Sequence, residues 1–231
     1  MVTEEVKNIV INDFDPAIYS FWRLLKEDSD FLINKIRNTE VNLDEWHKQR
    51  DILFSGTNDL HKLGFATFYL NRTNRSGILK AGPIGGFKQN GNYKIDARFN
   101  KDKLIERIRI ISLYSDNIKV SSKDGIDIIK DYAQNPKAFI YADPPYFEKA
   151  QGLYLNSFFM KDHESLAITL NQNADSNWVL TYDNFPAVKE LYRDRKIYDF
   201  ELNYSVQKKM RARETVVTSD KLPPLGEGWA L

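Results

Sequence analysis

Cysteine is missing from all 231 residues, so disulfides, thiolate metal sites and a cysteine nucleophile are excluded. Histidine is scarce. The three copies, His47, His61 and His163, lie far apart without metal-ligand spacing, and no metal is implied. No apolar run approaches the length of a bilayer span, and Met1-Val2-Thr3-Glu4-Glu5 is acidic with no signal-peptide pattern, so a cytoplasmic protein is expected. Internal repeats and low-complexity tracts are lacking too. What remains is 42% hydrophobic and 13% aromatic, enough for a sizeable core, and the length suits one α/β domain carrying an insertion.

The net charge of +1 conceals an uneven distribution. Between Asn71 and Ile110 there are ten basic residues and three acidic ones, a local charge of +7, which leaves −6 for the rest of the chain. A basic segment in an otherwise acidic protein is an electrostatic footprint for phosphates. A solvated charged helix would give the same count.

A short strand is expected from Lys7 to Asn12, closed by Asn12-Asp13-Phe14-Asp15-Pro16, with Pro16 opening a helix that runs through Leu24, Leu25, Phe31, Leu32 and Ile36. From Asn42 to about Arg72, Leu43, Trp46, Leu53, Leu60, Leu63 and Phe68 suggest helices without strands. Glycine-rich turns make the stretch from Gly77 to Arg98 a loop or irregular hairpin. Asn100 caps a helix bearing Leu104, Ile105, Ile108 and Ile111. Strands then alternate with helices: strands at Ile118–Ser121, Ala138–Ala142, Trp178–Tyr182, Ile197–Asn203 and Thr215–Thr218, helices at Gly125–Tyr132, His163–Asn173 and Ala187–Arg193. This rhythm predicts a mostly parallel sheet whose ligands bind beyond the carboxyl ends of the strands. Asp13 and Asp143 fall at such ends, and Asp124 just after one.

The tetrapeptide Asp143-Pro144-Pro145-Tyr146 follows the apolar run Ala138-Phe139-Ile140-Tyr141-Ala142. Its prolines fix φ and carry no N–H, so the backbone leaves the strand stiffly with free carbonyls. Asp143 offers an acceptor and Tyr146 a face for stacking, a set suited to a flat amine. The plain alternative is a turn, since Asp and Pro are ordinary turn residues.

Together these segments resemble the Dam-type (D12 class) DNA adenine methylases. Asn12 to Tyr19 looks like that family's acidic segment, Phe68-Tyr69-Leu70-Asn71-Arg72-Thr73 like its recognition-region signature, and Asp143 to Tyr146 like its catalytic motif. Tyr154-Leu155-Asn156-Ser157-Phe158 and Trp178 to Asn184 also fall where the family places related segments. The resemblance covers nearly the whole chain in the family's order. It implies a Rossmann-like core over residues 1–38 and 112–231 and a helical, basic target-recognition insertion over 39–111.

It further implies S-adenosyl-L-methionine as methyl donor and double-stranded DNA as partner, with the enzyme in the cytoplasm or nucleoid of a bacterium, or of phage origin. Asp13 would bind the donor's ribose hydroxyls, with helix capping as its alternative role, and Asp124 would sit near the donor's adenine, with a plain helix N-cap equally open. Asp143 and the Pro144 carbonyl would accept both N–H bonds of an adenine amino group. The base must leave the stack, with Tyr146 against one face and Phe158 or Tyr154 closing the other. Asn71, Arg72, Arg75 and Lys88 are the DNA-contact candidates, although Asn71 and Arg72 can equally brace the helix-to-loop transition. Lys208, Lys209, Arg211 and Arg213 read as a basic hairpin tip that touches phosphates or is simply solvated.

One family feature is not found: a first strand ending in an aromatic-x-Gly-x-Gly loop ahead of the acidic segment. The sheet is therefore expected to lack its first strand. A second polypeptide that supplies it, a truncated chain, or a cofactor-free relic would each account for this, and the first two fit better with Asp143, Pro144, Pro145 and Tyr146 standing together. A non-catalytic DNA-binding subunit, or methylation of an RNA amine or protein amide, are the competing functions.

Overall fold

The computed structural model describes residues 6–146, 158–206 and 208–226. The chain divides into two compact units, residues 1–124 and 125–231. Each is α/β, as the strand-and-helix rhythm predicts.

The first unit begins with β1 (Ile9–Asn12), which pairs in parallel with β2 (Ile118–Ser121), Ile9 opposite Ile118 and Asn12 opposite Ser121. Five helices lie between them: α1 (Pro16–Glu27), α2 (Ser29–Asn38), α3 (Leu43–Phe54), α4 (Leu60–Thr73) and α5 (Lys101–Ser112). The long helix expected from Pro16 to Ile36 is in fact two. Asp28 ends α1 with its N–H on Leu24 O, and its side chain accepts the Phe31 N–H to start α2. A short acceptor beside the backbone competes with helix continuation, and here it wins.

The core of this unit joins Leu24 and Leu25 of α1, Leu32 and Ile36 of α2, Trp46 of α3, Phe65, Tyr69 and Leu70 of α4, and Leu104 and Ile108 of α5. Gly64 permits the closest approach: a Cβ there would lie 2.8 Å from Ser20 O and 2.9 Å from a Leu24 methyl. Helices α1 and α4 thus meet backbone to side chain, and no residue larger than glycine fits. The stretch after α4 is irregular, as expected, with an isolated antiparallel bridge between Asn74 and Pro83.

The second unit carries α6 (Gly125–Ala133), β3 (Phe139–Ala142), α7 (Met160–Gln172), β4 (Asn177–Asp183), α8 (Pro186–Leu191), β5 (Lys196–Val206) and β6 (Lys208–Thr218). Its sheet has the order β3-β4-β6-β5, with β3 and β4 parallel and the other two pairings antiparallel. The sheet is therefore mixed rather than mostly parallel. Lys208, Lys209, Arg211 and Arg213, expected at a hairpin tip, all lie within β6, because the β5–β6 ladder continues to Val206 opposite Lys208. An antiparallel ladder can extend by backbone bonds alone, so hydrophobic periodicity underestimated both strands.

Alternation sets the faces of this sheet. Trp178, Leu180 and Tyr182 are fully buried against Ile129 of α6, Leu166 and Leu170 of α7 and Val188 of α8. On the other face Phe139 and Tyr141 are 58% and 62% exposed. Among the described strands β1 pairs only with β2, and β3 only with β4.

Candidate functional site

In the second unit, β3 delivers Asp143 beside β4. Ala142 pairs with Leu180, so the next residues along, Asp143 and Thr181, are neighbours on the sheet face that also carries Tyr141. Thr181 Oγ1 donates to Asp143 Oδ1 at 2.9 Å and lies 3.1 Å from the Tyr141 hydroxyl. The residue is solvent-accessible, but protein packed around its carboxyl group pushes the pKa up. Thr181's hydrogen bond opposes that shift, the Glu214 charge adds to it, and a hydrogen bond with Tyr146 opposes it again. The carboxylate is thus oriented by two hydroxyls yet easier to protonate than a free one.

Pro144, Pro145 and Tyr146 are half-buried. The Tyr146 ring packs at 6.5 Å, tilted 51°, on that of Tyr182. Tyr182 in turn is hydrogen-bonded through its hydroxyl to His163 Nδ1 at 2.7 Å, and Phe158 meets the His163 ring edge-on at 4.7 Å. Burial drives the His163 pKa down and the Tyr182 pKa up, so both groups are neutral at neutral pH. The result is an uncharged aromatic wall beside the Asp143 carboxylate. Tyr154, the other candidate for closing the base pocket, lies outside the described residues.

In the first unit, Asp13 follows β1 directly. Its N–H reaches Ser121 O at 3.1 Å, and its Oδ1 accepts the Asp15 N–H at 2.9 Å. Asp15, not Asp13, caps α1, taking the Ala17 N–H at 2.8 Å. Asp13 Oδ2 has no hydrogen-bond partner among the described residues. Burial raises the Asp13 pKa, and the charge of Asp15 adds to this.

Asn12 ties Asp13 to the loop bearing Asp124. Its Nδ2 donates to Lys123 O and its Oδ1 accepts the Lys123 N–H, both at 3.0 Å. Asp13 and Asp124 therefore stand at the same end of the β1–β2 pair, the carboxyl end, where ligands of such sheets bind. Asp124 is exposed and immediately precedes α6.

The DNA candidates divide by environment. Asn71 Nδ2 donates to Gly77 O at 3.1 Å and so braces the turn after α4. Arg72 is half-buried at the end of α4, whereas Arg75 and Lys88 are exposed on the loop. That loop is fixed by residues the sequence reading passed over. Buried Asn74 accepts the Trp46 indole N–H at 2.6 Å and donates to Ile78 O and Leu79 O at 2.9 Å each. Gln89, at φ 48°, donates to Ile84 O and Gly86 O and accepts the Ile95 N–H. The only signal for Asn74 was its place after a helix, and Thr181 could be found only once strand register was known.

Comparison with known proteins bears on residues 1–206, which match the model of the D12 class N6 adenine-specific DNA methyltransferases. The type II methyltransferase M.MjaIII of Methanocaldococcus jannaschii is 28% identical over 154 residues, 62% of this chain. That alignment spans 51% of the relative, about half its length. The type II methyltransferase M1.LlaDCHI of Lactococcus lactis subsp. cremoris is 27% identical over 232 residues, covering 91% of this chain and 78% of the relative.

Proposed function

We propose, for a chain that belongs to the D12 class N6 adenine-specific DNA methyltransferases, that it transfers a methyl group to the exocyclic amine of an adenine flipped out of duplex DNA, as in restriction-modification. The observation that carries this reading is the held carboxylate of Asp143 at the end of β3, followed by two prolines and an aromatic ring packed on Tyr182. S-adenosyl-L-methionine supplies an electrophilic methyl group when bound.

An adenine amine is a poor nucleophile because its lone pair is delocalised into the ring. Asp143 and the Pro144 carbonyl accept its two N–H bonds, which favours a pyramidal nitrogen with the lone pair exposed. No covalent intermediate on the protein is required, and positioning with electrostatic stabilisation does the catalysis. The raised pKa of Asp143 suits it to take a proton as the amine becomes cationic. Tyr146 stacks on the flipped base, and Phe158 and the neutral His163–Tyr182 pair form the uncharged surroundings that exclude water.

The residues of the first unit suit the donor chemically. Asp13, half-buried with Oδ2 unengaged, offers acceptors for vicinal ribose hydroxyls, and Asp124 stands at the same strand end for the donor's adenine. Among the described residues β1 pairs only with β2, and the edge this leaves supports one more element: a further strand, with a glycine-rich loop, that completes the methionine end of the donor site. Transfer that rises when a segment carrying aromatic-x-Gly-x-Gly is added supports that element, and full transfer by this chain by itself removes it. The test of the main reading is Asp143→Ala, expected to abolish transfer while DNA binding persists. Retained turnover refutes it.

A further inference from the structure

The hydroxyls beside Asp143 form a chain that runs out to solvent. Thr181 Oγ1 gives its single proton to Asp143 Oδ1 at 2.9 Å. The Tyr141 hydroxyl, 3.1 Å from the same Oγ1, must therefore donate in its own bond, because a hydroxyl has one proton to give and that of Thr181 is committed. Tyr141 pairs with Val179 and reaches along β4 to Thr181, so this bond crosses the sheet diagonally. The tyrosine is 62% exposed, and its oxygen keeps an acceptor for water. Strand register thus sets the order solvent, Tyr141, Thr181, Asp143.

Methylation of an amine releases one proton in each turnover. Asp143 takes it from the cationic amine and must lose it before the next base arrives. The Tyr146 hydroxyl also bonds this carboxylate, but its ring packs on fully buried Tyr182 and so leads inward. Tyr141 leads outward.

We propose that Thr181 and Tyr141 relay the proton released by methyl transfer from Asp143 to water. The protonated carboxyl becomes a donor to Thr181 Oγ1, which turns both hydroxyls outward. The Asp143 O–H bond then breaks as a new O–H bond forms on Thr181, the former Thr181 proton passes to Tyr141, and the former Tyr141 proton passes to water. Each hydroxyl oxygen gains one proton and gives up one. The carboxylate is restored, and the hydroxyls are left with the polarity seen in the structure. Both residues act through Asp143, and the inference rests on the methyl-transfer reading for its proton.

Two measurements on the full chain test the relay. In the first, NMR of protein labelled at tyrosine Cζ follows the Tyr141 signal, identified by its loss in Tyr141→Phe, while Asp143 is titrated. Hydrogen bonds in a chain polarise one another, so this signal should move with Asp143 and stand still in Asp143→Asn and Thr181→Val. A signal that ignores Asp143, or that follows it equally well in Thr181→Val, overturns the relay.

The second is single-turnover transfer to duplex DNA in mixtures of light and heavy water, with the glycine-loop segment present. Wild type should show a solvent isotope effect that curves with the heavy-water fraction, the sign of several protons in flight. Tyr141→Phe and Thr181→Val should be slower by about tenfold at unchanged duplex affinity, with a linear dependence. Thr181→Ser, which keeps the hydroxyl, should return the wild-type curve, and imidazole should speed Tyr141→Phe but not wild type. Equal rates, or the same curve in wild type and Tyr141→Phe, overturn the relay. Methylation without coupling between Tyr141 and Asp143 overturns the relay alone, whereas coupling with no methylated base from wild type overturns the methyl-transfer reading and the relay with it.

Discussion

Thr181 Oγ1 donates to Asp143 Oδ1 at 2.9 Å, linking a hydroxyl of β4 to the carboxylate at the end of β3. Because β3 and β4 are parallel and in register, this bond is built into the sheet and not left to a mobile loop. The Asp143 pKa is raised by burial, and Thr181 and Glu214 pull it in opposite directions. The acid limb of methyl transfer should therefore lie above the ordinary carboxylate range. Thr181→Val should move it to higher pH and Glu214→Gln to lower pH. Single-turnover rates from pH 4 to 8 check both directions, and identical limbs in all three proteins would contradict the assignment.

The same shift makes a statement about stability. A carboxyl whose pKa is raised on folding contributes stability at pH below its unfolded value, and that contribution is lost as pH rises through the folded value. Asp143→Asn should thus melt higher than wild type at neutral pH, with the gap closing in acid. Thermal unfolding against pH measures it.

Buried His163 titrates the other way. Its pKa is lowered by burial, so its contribution to stability is present above the unfolded value and is lost as pH falls through the folded one. His163→Gln should flatten the loss of melting temperature below about pH 6.5, the unperturbed histidine value.

Asn12 bonds twice to Lys123 and so joins the ends of β1 and β2. Asn12→Ala should weaken donor binding about tenfold, in line with about 1 kcal/mol for a hydrogen bond and some loss of positioning. Calorimetry with S-adenosyl-L-methionine reads it, and unchanged affinity separates Asp13 and Asp124 from the donor.

Much of this was legible in the sequence, and unevenly. The apolar run into Asp143 marked β3, and Asp15, Asn100 and Pro186 mark real helix starts, because caps and fixed φ are local chemistry. The break at Asp28 was missed since the apolar spacing runs straight across it, and one side-chain acceptor outweighs that spacing. Thr181 and Asn74 were not legible. Each depends on strand register or on contacts between helices distant in sequence, which no local pattern encodes.

Gly64 shows the same dependence on packing. A Cβ at 2.8 Å from Ser20 O has no room, and a backbone atom cannot rotate aside. Gly64→Ala should cost about 1–3 kcal/mol despite the better helix propensity of alanine. Differential scanning calorimetry should show a fall of several degrees.

The most direct measurement is mass spectrometry of nucleosides from duplex DNA incubated with S-adenosyl-L-methionine and the chain, alone and with the glycine-loop segment added. Wild type should yield N6-methyladenine in at least one condition and Asp143→Ala in neither, with duplex binding by the variant within twofold of wild type. Methylcytosine as the product, no methylated base in either condition, or N6-methyladenine formed by Asp143→Ala would contradict the account.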